Sequence, residues 1–366
     1  MIALTRVPRL NVMIQRRLLD VMGSAVAVYE NRNDIKAVMP ELNDIVLRNL
    51  AGMDSLLPRA QQELEWAQSK RVQCICLNDA EYPARLRECD DAPTVLYYRG
   101  NADLNSVHMI SMVGTRQCTE YGKDICRHFT EELARQCPDC LVVSGLAYGI
   151  DINAHRGALG SGLPTVGVLA HGLDQIYPRM HFDTAVQMLQ QGGLITEYMS
   201  GTKLDKMNFV ARNRIVAGMC DATVVVESAS KGGSLITARI ANDYNRDVFA
   251  FPGRIHDEQS AGCNMLIRRN EAHLITSVSD MLDLLGWTTA SQESAQRGKP
   301  IQRELFVDLT PDEKRVVEAL KGFDGKALNQ LSVEAGISVG QLSALLFSLE
   351  MRGVVKLMNG GMYRLL

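Results

Sequence analysis

The sequences FVARNRIVAG, residues 209–218, and KGGSLITA, residues 231–238, decide the fold that we predict. Between them, residues 222–226 form an apolar run typical of a buried strand, and each neighbouring segment has the apolar spacing of a helix. Arg212, Asn213 and Arg214 stand where the first helix is predicted to start. Free backbone N–H groups and a partial positive charge make a helix start a good seat for an anion. The two segments therefore predict polar groups at one rim of a sheet.

The same alternation of strands and helices continues on both sides of these segments. Strands are predicted at residues 107–113, 141–144, 165–169, 194–197, 222–227, 248–251 and 273–276, after two shorter β-rich runs at 72–76 and 94–98. Amphipathic helices are predicted at residues 123–135, 180–191, 234–245 and 264–269. Apolar strands that alternate with such helices are typical of a parallel sheet covered on both faces. We therefore predict an α/β fold with a doubly wound parallel sheet.

Helical segments flank the α/β region. Residues 1–66 carry apolar side chains at helical spacing and predict a helical domain, followed by the α/β domain at 67–287 and a polar linker at 288–306. Residues 307–366 predict three helices and a hairpin, the winged-helix pattern, with Val339, Leu342, Leu345 and Leu346 facing inward. Seven basic and seven acidic residues balance in this last segment. We therefore predict that this segment binds a partner or has a structural role, in preference to reading duplex DNA.

Composition limits the classes of function. The 366 residues are 46% hydrophobic and 22% charged, which is typical of a globular protein with two or three domains. The net charge is −3, so any nucleic-acid site must be a local basic patch. The sequence has no apolar run long enough to span a membrane, and its first residues lack the apolar core of a signal peptide. We expect a cytoplasmic protein.

The nine cysteines do not form a recognisable metal or redox motif. Cys137 and Cys140 have CxxC spacing, but the pair ends a predicted helix, whereas a redox pair opens one. No second CxxC or nearby histidine pair completes a zinc site. We therefore expect reduced thiols, with neither a metal nor a cofactor.

Glycine and polar residues cluster at the carboxyl ends of the predicted strands, where ligands bind in parallel α/β sheets. The candidate rim residues are Gly114, Thr115, Arg116, Ser144, Gly145, Lys231, Gly232, Gly233 and Ser234, together with Arg212, Asn213 and Arg214. The sequence lacks the GxGxxG, GxxxxGK[ST], HExxH and GxSxG motifs of dinucleotide, triphosphate, zinc-protease and hydrolase sites. The rim therefore favours binding over catalysis, and we predict no catalytic residue.

Several of these residues also have a structural explanation. Glycines at strand ends serve tight turns about as often as the close approach of a ligand. Asp151 is expected to cap the helix that follows it, and His155 is expected to be a hydrogen-bonded packing residue. Glu197 and Glu227, at strand ends, are expected to anchor loops.

Residues 203–216 contain four basic residues and one acidic residue, with Phe209 among them. A solvated helix face would explain these charges. The same segment also fits a surface where Lys206 pairs with a phosphate and a base stacks on the Phe209 ring. Arg116 is harder to explain by packing, because it directly follows a buried strand.

In the order of these motifs, the sequence resembles the DNA-processing protein A family, also called DprA or Smf. The matching sequences are VGTRQCTEYG at residues 113–122, SGLAYGIDINAHRGAL at 144–159, GVLAHGLDQIYPRMH at 167–181, LITEY at 194–198, NFVARNRIVAG at 208–218, GGSLITARIA at 232–241, FAFPG at 249–253 and GCNMLI at 262–267. Because so many motifs occur in one order, the resemblance is very specific.

The resemblance implies an extended Rossmann-like domain, an N-terminal helical domain of the SAM-like type and a C-terminal winged helix. It also implies a homodimer that binds single-stranded DNA, protects incoming DNA and helps to load the RecA recombinase in natural transformation. Carried to this sequence, the family's DNA contacts fall on Arg116, Lys206, Phe209 and Arg212. Val210 and Ala211 stand where the family often has a proline and a second arginine, which implies a weaker basic patch.

Two other functions stay open. A nucleotide hydrolase of the Rossmann-like LOG (lysine-decarboxylase-like) class also uses a glycine-rich turn after a strand. Its PGGxGTxxE motif would need glycine at Leu235 and glutamate at Arg239, and both are absent. A scaffold for the recombinase, with incidental DNA contacts, is the other alternative. We predict single-stranded DNA binding without catalysis.

Overall fold

A nine-stranded sheet lies at the centre of the first of two compact units, Met1–Thr288 and Thr289–Leu366. The computed structural model describes residues 1–287, 309–321, 326–352, 354–358 and 362–365, so the predicted linker at 288–306 lies outside the described residues. The strands of this sheet are β1 Gln73–Cys76, β2 Val95–Gly100, β3 Met109–Val113, β4 Leu141–Ser144, β5 Thr165–Val168, β6 Gly192–Thr196, β7 Ala222–Val225, β8 Asp247–Ala250 and β9 His273–Leu274.

The order of the strands confirms the predicted doubly wound sheet. Across the sheet the order is β1-β2-β6-β5-β4-β3-β7-β8-β9. The strands from β6 across to β9 are all parallel to their neighbours, whereas β1 and β2 run antiparallel at one edge. The chain order reverses between β3 and β7. At such a reversal the connections leave in opposite directions and a crevice opens at the carboxyl ends of the strands.

Helices cover both faces of the sheet. From the N-terminus they are α1 Ile2–Thr5, α2 Val12–Met22, α3 Ala25–Glu30, α4 Ile35–Val38, α5 Asp44–Ala51, α6 Leu57–Ser69, α7 Ala84–Arg87, α8 Glu120–Gln136, α9 Ile150–Gly160, α10 Phe182–Met188, α11 Lys206–Ala211, α12 Asn213–Gly218, α13 Gly233–Asp243, α14 Ala261–Arg268 and α15 Val278–Leu285. Val142 and Val143 are neighbours in β4 but belong to apolar cores on opposite faces, since side chains alternate along a strand. Burial on both faces explains why the strands are continuously apolar.

The helices of residues 1–66 pack beside the antiparallel edge of the sheet. Asn11 and Asn43 cap helices α2 and α5, since their side chains accept backbone N–H groups of the first turn. The apolar faces of these helices share one core with Val95 and Tyr97 of β2. The helical prediction for this segment agrees with the structure. The helices belong to the same compact unit as the sheet, and the boundary after residue 66 stays a prediction.

Glu63 of α6 connects the helices to the segment after β6. Its carboxylate is buried, accepts from the Ser200 N–H at 2.7 Å and hydroxyl at 2.6 Å, and pairs with Arg59 at 2.8 Å. Glu63→Ala would leave the Ser200 N–H without this acceptor, so we expect a loss of about 2 kcal/mol in the free energy of unfolding. Urea denaturation measures this loss, with the exposed Glu65→Ala on the same helix as the matched control. Equal stabilities of the two variants would contradict the assigned role.

The second unit has the predicted winged-helix order. Its elements are α16 Pro311–Leu320, β10 Lys326–Ala327, α17 Leu328–Ala335, α18 Val339–Met351, β11 Val355–Met358 and β12 Met362–Leu365. Leu342 and Leu346 are buried and Leu345 is half-buried, as predicted, but the inward prediction for Val339 is wrong, because this side chain is 43% exposed. Val339 is the first residue of α18, and it is not among the residues of the core that Leu342 enters.

Candidate nucleic-acid interface

The loops after β3 and β7 meet at the crevice where the strand order reverses. The Thr115 N–H donates to the Glu227 carbonyl at 2.8 Å, and the Thr115 carbonyl accepts from the Ile150 N–H at 3.1 Å. The buried Glu227 carboxylate accepts from the N–H and the hydroxyl of Thr119 at 2.9 and 2.6 Å. These bonds agree with the predicted role of Glu227 as a loop anchor. The loops of the rim are therefore fixed by their own hydrogen bonds.

One exposed cation and two aromatic rings lie together at this rim. The guanidinium carbon of the exposed Arg116 lies 5.8 Å from the centre of the Phe209 ring. The Tyr177 ring packs edge-on against Phe209, with 5.7 Å between the ring centres and 65° between the planes. We call Arg116, Tyr177 and Phe209 the aromatic–cation cluster. The structure thus brings together two predicted site residues, and it adds Tyr177, which is 42% exposed.

Three lysines, two of which are predicted site residues, are also exposed. Lys206 is the first residue of α11, and Asp205 caps that helix by accepting the Met207 N–H at 2.8 Å. Lys203 precedes the same helix, and Lys231 lies in the turn before α13. In the described ranges these lysines and Arg116 make no salt bridge. Their charges are therefore open to an external anion.

Arg212 does not face solvent, which corrects the prediction that it is free to hold a phosphate. Its side chain is only 3% exposed and donates to the carbonyls of Gly145 and Val168, at the ends of β4 and β5. A Cβ on Gly145 would lie 2.3 Å from Nη1 of Arg212, so this glycine makes room for the guanidinium. Burial lowers the pKa of Arg212, and the nearby Asp151 carboxylate opposes that shift. Arg212 therefore connects two strand ends beneath the rim.

The predicted anion seat at the start of a helix stays a prediction, but one of its backbone donors is not free. Helix α11 ends at Ala211 and α12 begins at Asn213, and Arg212 between them has helical angles of φ −57° and ψ −31°. The Arg212 N–H donates to the Asn208 carbonyl at 2.9 Å. Since one helical turn runs into the next, the Arg212 N–H is not available to an anion.

Arg214 faces inward as well. Its Nη2 donates to Glu197 Oε2 at 2.5 Å, and its Nε lies 3.9 Å from Asp91 Oδ2. The Arg214 side chain is only 13% exposed. The prediction of a free phosphate contact is therefore corrected to an ion pair with Glu197, close to Asp91.

The two predicted rim serines are buried, and their hydroxyls already make hydrogen bonds within the protein. The Ser144 hydroxyl donates to the Met112 carbonyl at 2.6 Å. The Ser234 hydroxyl donates to the Ser228 hydroxyl at 2.8 Å. Both hydroxyls therefore stabilise the loops and are not presented to a ligand, whereas Asn213 is half-buried.

The rim glycines divide into two kinds. A Cβ on Gly114 would lie 2.3 Å from Ile150, and a Cβ on Gly232 would lie 2.5 Å from the Ser228 hydroxyl. These two glycines are required by packing. A Cβ on Gly233 would meet no atom within 4 Å, so this exposed glycine leaves its backbone open to an approaching group.

Asp151 and His155 have structural roles. Helix α9 has Gly149 at its N-cap, so Asp151 lies in the first turn and is not the predicted cap, although its carboxylate accepts the Ala147 N–H at 3.4 Å. Burial raises the pKa of Asp151. The buried His155 has Nδ1 2.7 Å from the Thr165 hydroxyl, and burial lowers its pKa to about 3. It is therefore a neutral packing residue, as predicted.

The described part of the chain has no group of three or more His, Cys, Asp or Glu side chains arranged to hold a metal ion. Its helices are also too short or too polar to cross a lipid bilayer. All nine cysteines are free thiols. What distinguishes the rim is therefore an aromatic–cation cluster with additional exposed lysines.

Residues 73–286 match the sequence family described as DNA recombination-mediator protein A. The chain belongs to that family. Residues 305–361 match the DprA winged helix domain, which accords with the helices and the hairpin of the second unit. The resemblance seen in the motifs is thus confirmed, as are the extended Rossmann-like domain and the winged helix.

Two bacterial relatives are similar over most of their length. Protein Smf of Synechocystis is 33% identical over 332 residues, which cover 83% of this chain and 82% of that protein. The putative DNA processing protein DprA of Mycobacterium tuberculosis is 34% identical over 317 residues, which cover 83% of this chain and 80% of that protein.

Two solved structures share the fold. DNA processing protein A of Streptococcus pneumoniae superposes with a TM-score of 0.60 and 31% identity, covering 75% of this chain and 97% of that one. DNA processing protein A of Helicobacter pylori superposes with a TM-score of 0.54 and 28% identity over 60% of this chain and 97% of its own. The H. pylori structure is described as showing a single-stranded DNA binding mode.

Proposed function

We propose that this protein binds single-stranded DNA along the rim at the carboxyl ends of the parallel strands. The observation that carries the proposal is the aromatic–cation cluster, in which Arg116 lies over the Phe209 ring with Tyr177 beside it. The single-stranded DNA binding mode described for the H. pylori relative supports it. The family also supports a role in natural transformation, in which the bound DNA is protected and RecA is loaded by a cytoplasmic homodimer.

Aromatic rings and unpaired cations suit a single strand. Every base has a π-face, so stacking on Phe209 and Tyr177 tolerates any sequence. Arg116, Lys203, Lys206 and Lys231 are exposed and can neutralise phosphates. We therefore propose binding with little overall dependence on sequence and with no catalytic step.

A gel shift tests this function. We expect the full-length protein to retard oligo-dT at concentrations that leave a duplex of the same length free, and to release no product from nucleotides in a parallel turnover assay. Failure to retard oligo-dT would reject the proposal. Turnover of a nucleotide would favour a hydrolase.

Salt is expected to weaken the complex strongly. If the four exposed cations each release one counterion, doubling the salt concentration should lower the affinity for oligo-dT by about sevenfold, because single strands give a slope of roughly 0.7 per phosphate. Fluorescence anisotropy at several salt concentrations measures the slope. Affinity that does not change with salt would show that phosphates are not the main contact.

RecA loading requires a separate test. We expect the protein to shorten the lag before RecA hydrolyses ATP on single-stranded DNA that is already coated with single-strand-binding protein. The balanced charge of the winged helix favours a protein partner over duplex DNA. A truncated protein that ends at residue 287 lacks this domain and shows whether it takes part in loading RecA. An unchanged lag with the full-length protein would reject the loading role while leaving DNA binding intact.

A further inference from the structure

A further exposed aromatic ring lies at the rim, in the loop after β4. Tyr148 is 41% exposed, whereas Leu146 and Ile150, on either side of it, are fully buried. In the segment after β5, Tyr177 and Met180 are 42% and 69% exposed. Exposed apolar side chains that lie together commonly mark an interaction site, whereas single ones need no explanation. The contacts on each side of the loop show that Tyr148 belongs to such a group.

One side of this loop lies against the backbone of Arg116. Gly149 directly follows Tyr148, and its φ of +76° is in the left-handed region. A Cβ on Gly149 would lie 2.1 Å from the Thr115 carbonyl oxygen and 2.7 Å from the Arg116 Cα, so this close approach requires glycine. Tyr148 is therefore held next to the loop that carries the cation of the aromatic–cation cluster.

The Tyr148 ring itself contacts the segment that carries Tyr177. It packs edge-on against His181, with 5.3 Å between the ring centres and 69° between the planes. His181 is buried, and its Nδ1 lies 2.9 Å from the Leu146 carbonyl, which joins the two segments. Tyr177 lies four residues before His181 and packs against Phe209. Direct contacts thus lead from Tyr148 to each member of the aromatic–cation cluster.

The loop that carries Tyr148 is fixed from below. The buried Arg212 donates to the Gly145 carbonyl. Leu146 has a φ of +55°, and residues other than glycine keep such angles only where the surrounding structure imposes them, often at binding sites. A surface that is ordered before its ligand arrives loses less conformational entropy on binding. The structure therefore presents the Tyr148 ring from a preformed support.

The charge near this ring does not favour an anion. Arg179 is exposed, but Asp174 and Asp183, on either side of it in the sequence, are exposed as well. The face of an aromatic ring binds a base by stacking, which needs no net charge. A strand at Tyr148 would therefore be bound by stacking, while Arg116 and the exposed lysines pair with its phosphates.

We propose that Tyr148 is a second stacking site for a base of the same single strand that stacks on Phe209. This inference rests on the proposed single-stranded DNA binding and extends the contact surface to the loop after β4. The continuity of Tyr148 with the aromatic–cation cluster favours a DNA strand over a protein as the occupant. The second site reads no sequence, because a tyrosine ring accepts the face of any base.

Substitution of Tyr148 tests both the strength and the salt dependence of binding. We expect Tyr148→Ala to bind oligo-dT about tenfold more weakly in fluorescence anisotropy, because one stacked base is lost. The slope of affinity against salt should not change, since no phosphate contact is removed. Tyr148→Phe keeps the ring and should bind like the wild type. Phe347→Ala, at an exposed position of the second unit, is the control and should also bind like the wild type.

Two results would overturn the inference while the proposed DNA binding stands. One is full affinity in Tyr148→Ala together with weak binding by Phe209→Ala. The other is a Tyr148→Ala protein that keeps its affinity for DNA but no longer loads RecA, which would assign this surface to a protein partner. A wild-type protein that does not bind oligo-dT would overturn both proposals.

Cross-linking locates the contact in the wild-type protein. Oligo-dT with 5-iododeoxyuridine in place of one thymidine is bound and irradiated, so that a base stacked on an aromatic ring becomes attached to it. Trypsin then separates Tyr148, in the peptide 136–156, from Tyr177 in 157–179 and Phe209 in 207–212. We expect DNA on peptides 136–156 and 207–212, and Tyr148→Ala should abolish the first label. Label on 207–212 without any on 136–156 would overturn the second stacking site.

Discussion

Replacing Arg116 and Phe209 together with alanine is expected to lower the affinity for oligo-dT by about a hundredfold, because one stacked base contributes about 1–3 kcal/mol and a phosphate contact is lost as well. The two side chains act at one place, since the guanidinium carbon lies 5.8 Å from the ring centre. Fluorescence anisotropy at constant salt measures the change. The folded state should be preserved, because Arg116 is exposed and Phe209 is only half-buried.

A second double variant serves as the control. Arg239→Ala with Phe347→Ala removes one arginine and one phenylalanine at exposed positions outside the cluster. It should bind oligo-dT like the wild type. Tyr177→Ala should give an intermediate loss, since Tyr177 offers an exposed ring beside Phe209. If both double variants lose the same affinity, the cluster is not the DNA site.

Arg212→Ala is expected to lower the free energy of unfolding by about 4 kcal/mol, because removing one partner of a buried charge and hydrogen-bond network leaves the others unpaired. The carbonyls of Gly145 and Val168 would lose their donor, and Asp151 would lose the cation that lowers its raised pKa. Chemical denaturation measures this loss. Any loss of DNA binding should follow the loss of folded protein.

Arg212→Lys separates the structural role from a direct contact with DNA. Lysine retains the positive charge but lacks the planar fork that reaches two carbonyls, so it should recover only part of the lost stability. If Arg212→Ala is as stable as the wild type and binds oligo-dT weakly, then Arg212 contacts DNA directly and the structural interpretation is wrong.

The sequence was sufficient for the architecture and for part of the site. Strand and helix periodicity predicted the parallel sheet, and the polar residues after its strands predicted the rim. The chemistry of Arg116 and Phe209 predicts both as site residues, and they lie together although they are far apart in sequence. The antiparallel placement of β2 next to β6 was not predicted, since a short apolar strand does not show its direction.

The site prediction failed at residues whose type is compatible with both a buried and an exposed position. Arg212 looks like a phosphate ligand in sequence, but two carbonyls at the ends of β4 and β5 bind it beneath the rim. In the sequence, Gly145 is the one signal of this burial, because its missing side chain makes room for the guanidinium of Arg212. Tyr177 is part of a matched motif, but its place beside Phe209 depends on how the loop after β5 folds against α11.

The two ends of the sheet are protected in different ways. An exposed edge strand presents unpaired backbone groups that can pair with another chain and lead to aggregation. Helix α6 packs on β1 at one edge, and at the other edge β9 is only two residues long. The N-terminal helices thus cover one face of the antiparallel edge. A chain that lacked them would expose β1 and be prone to aggregate.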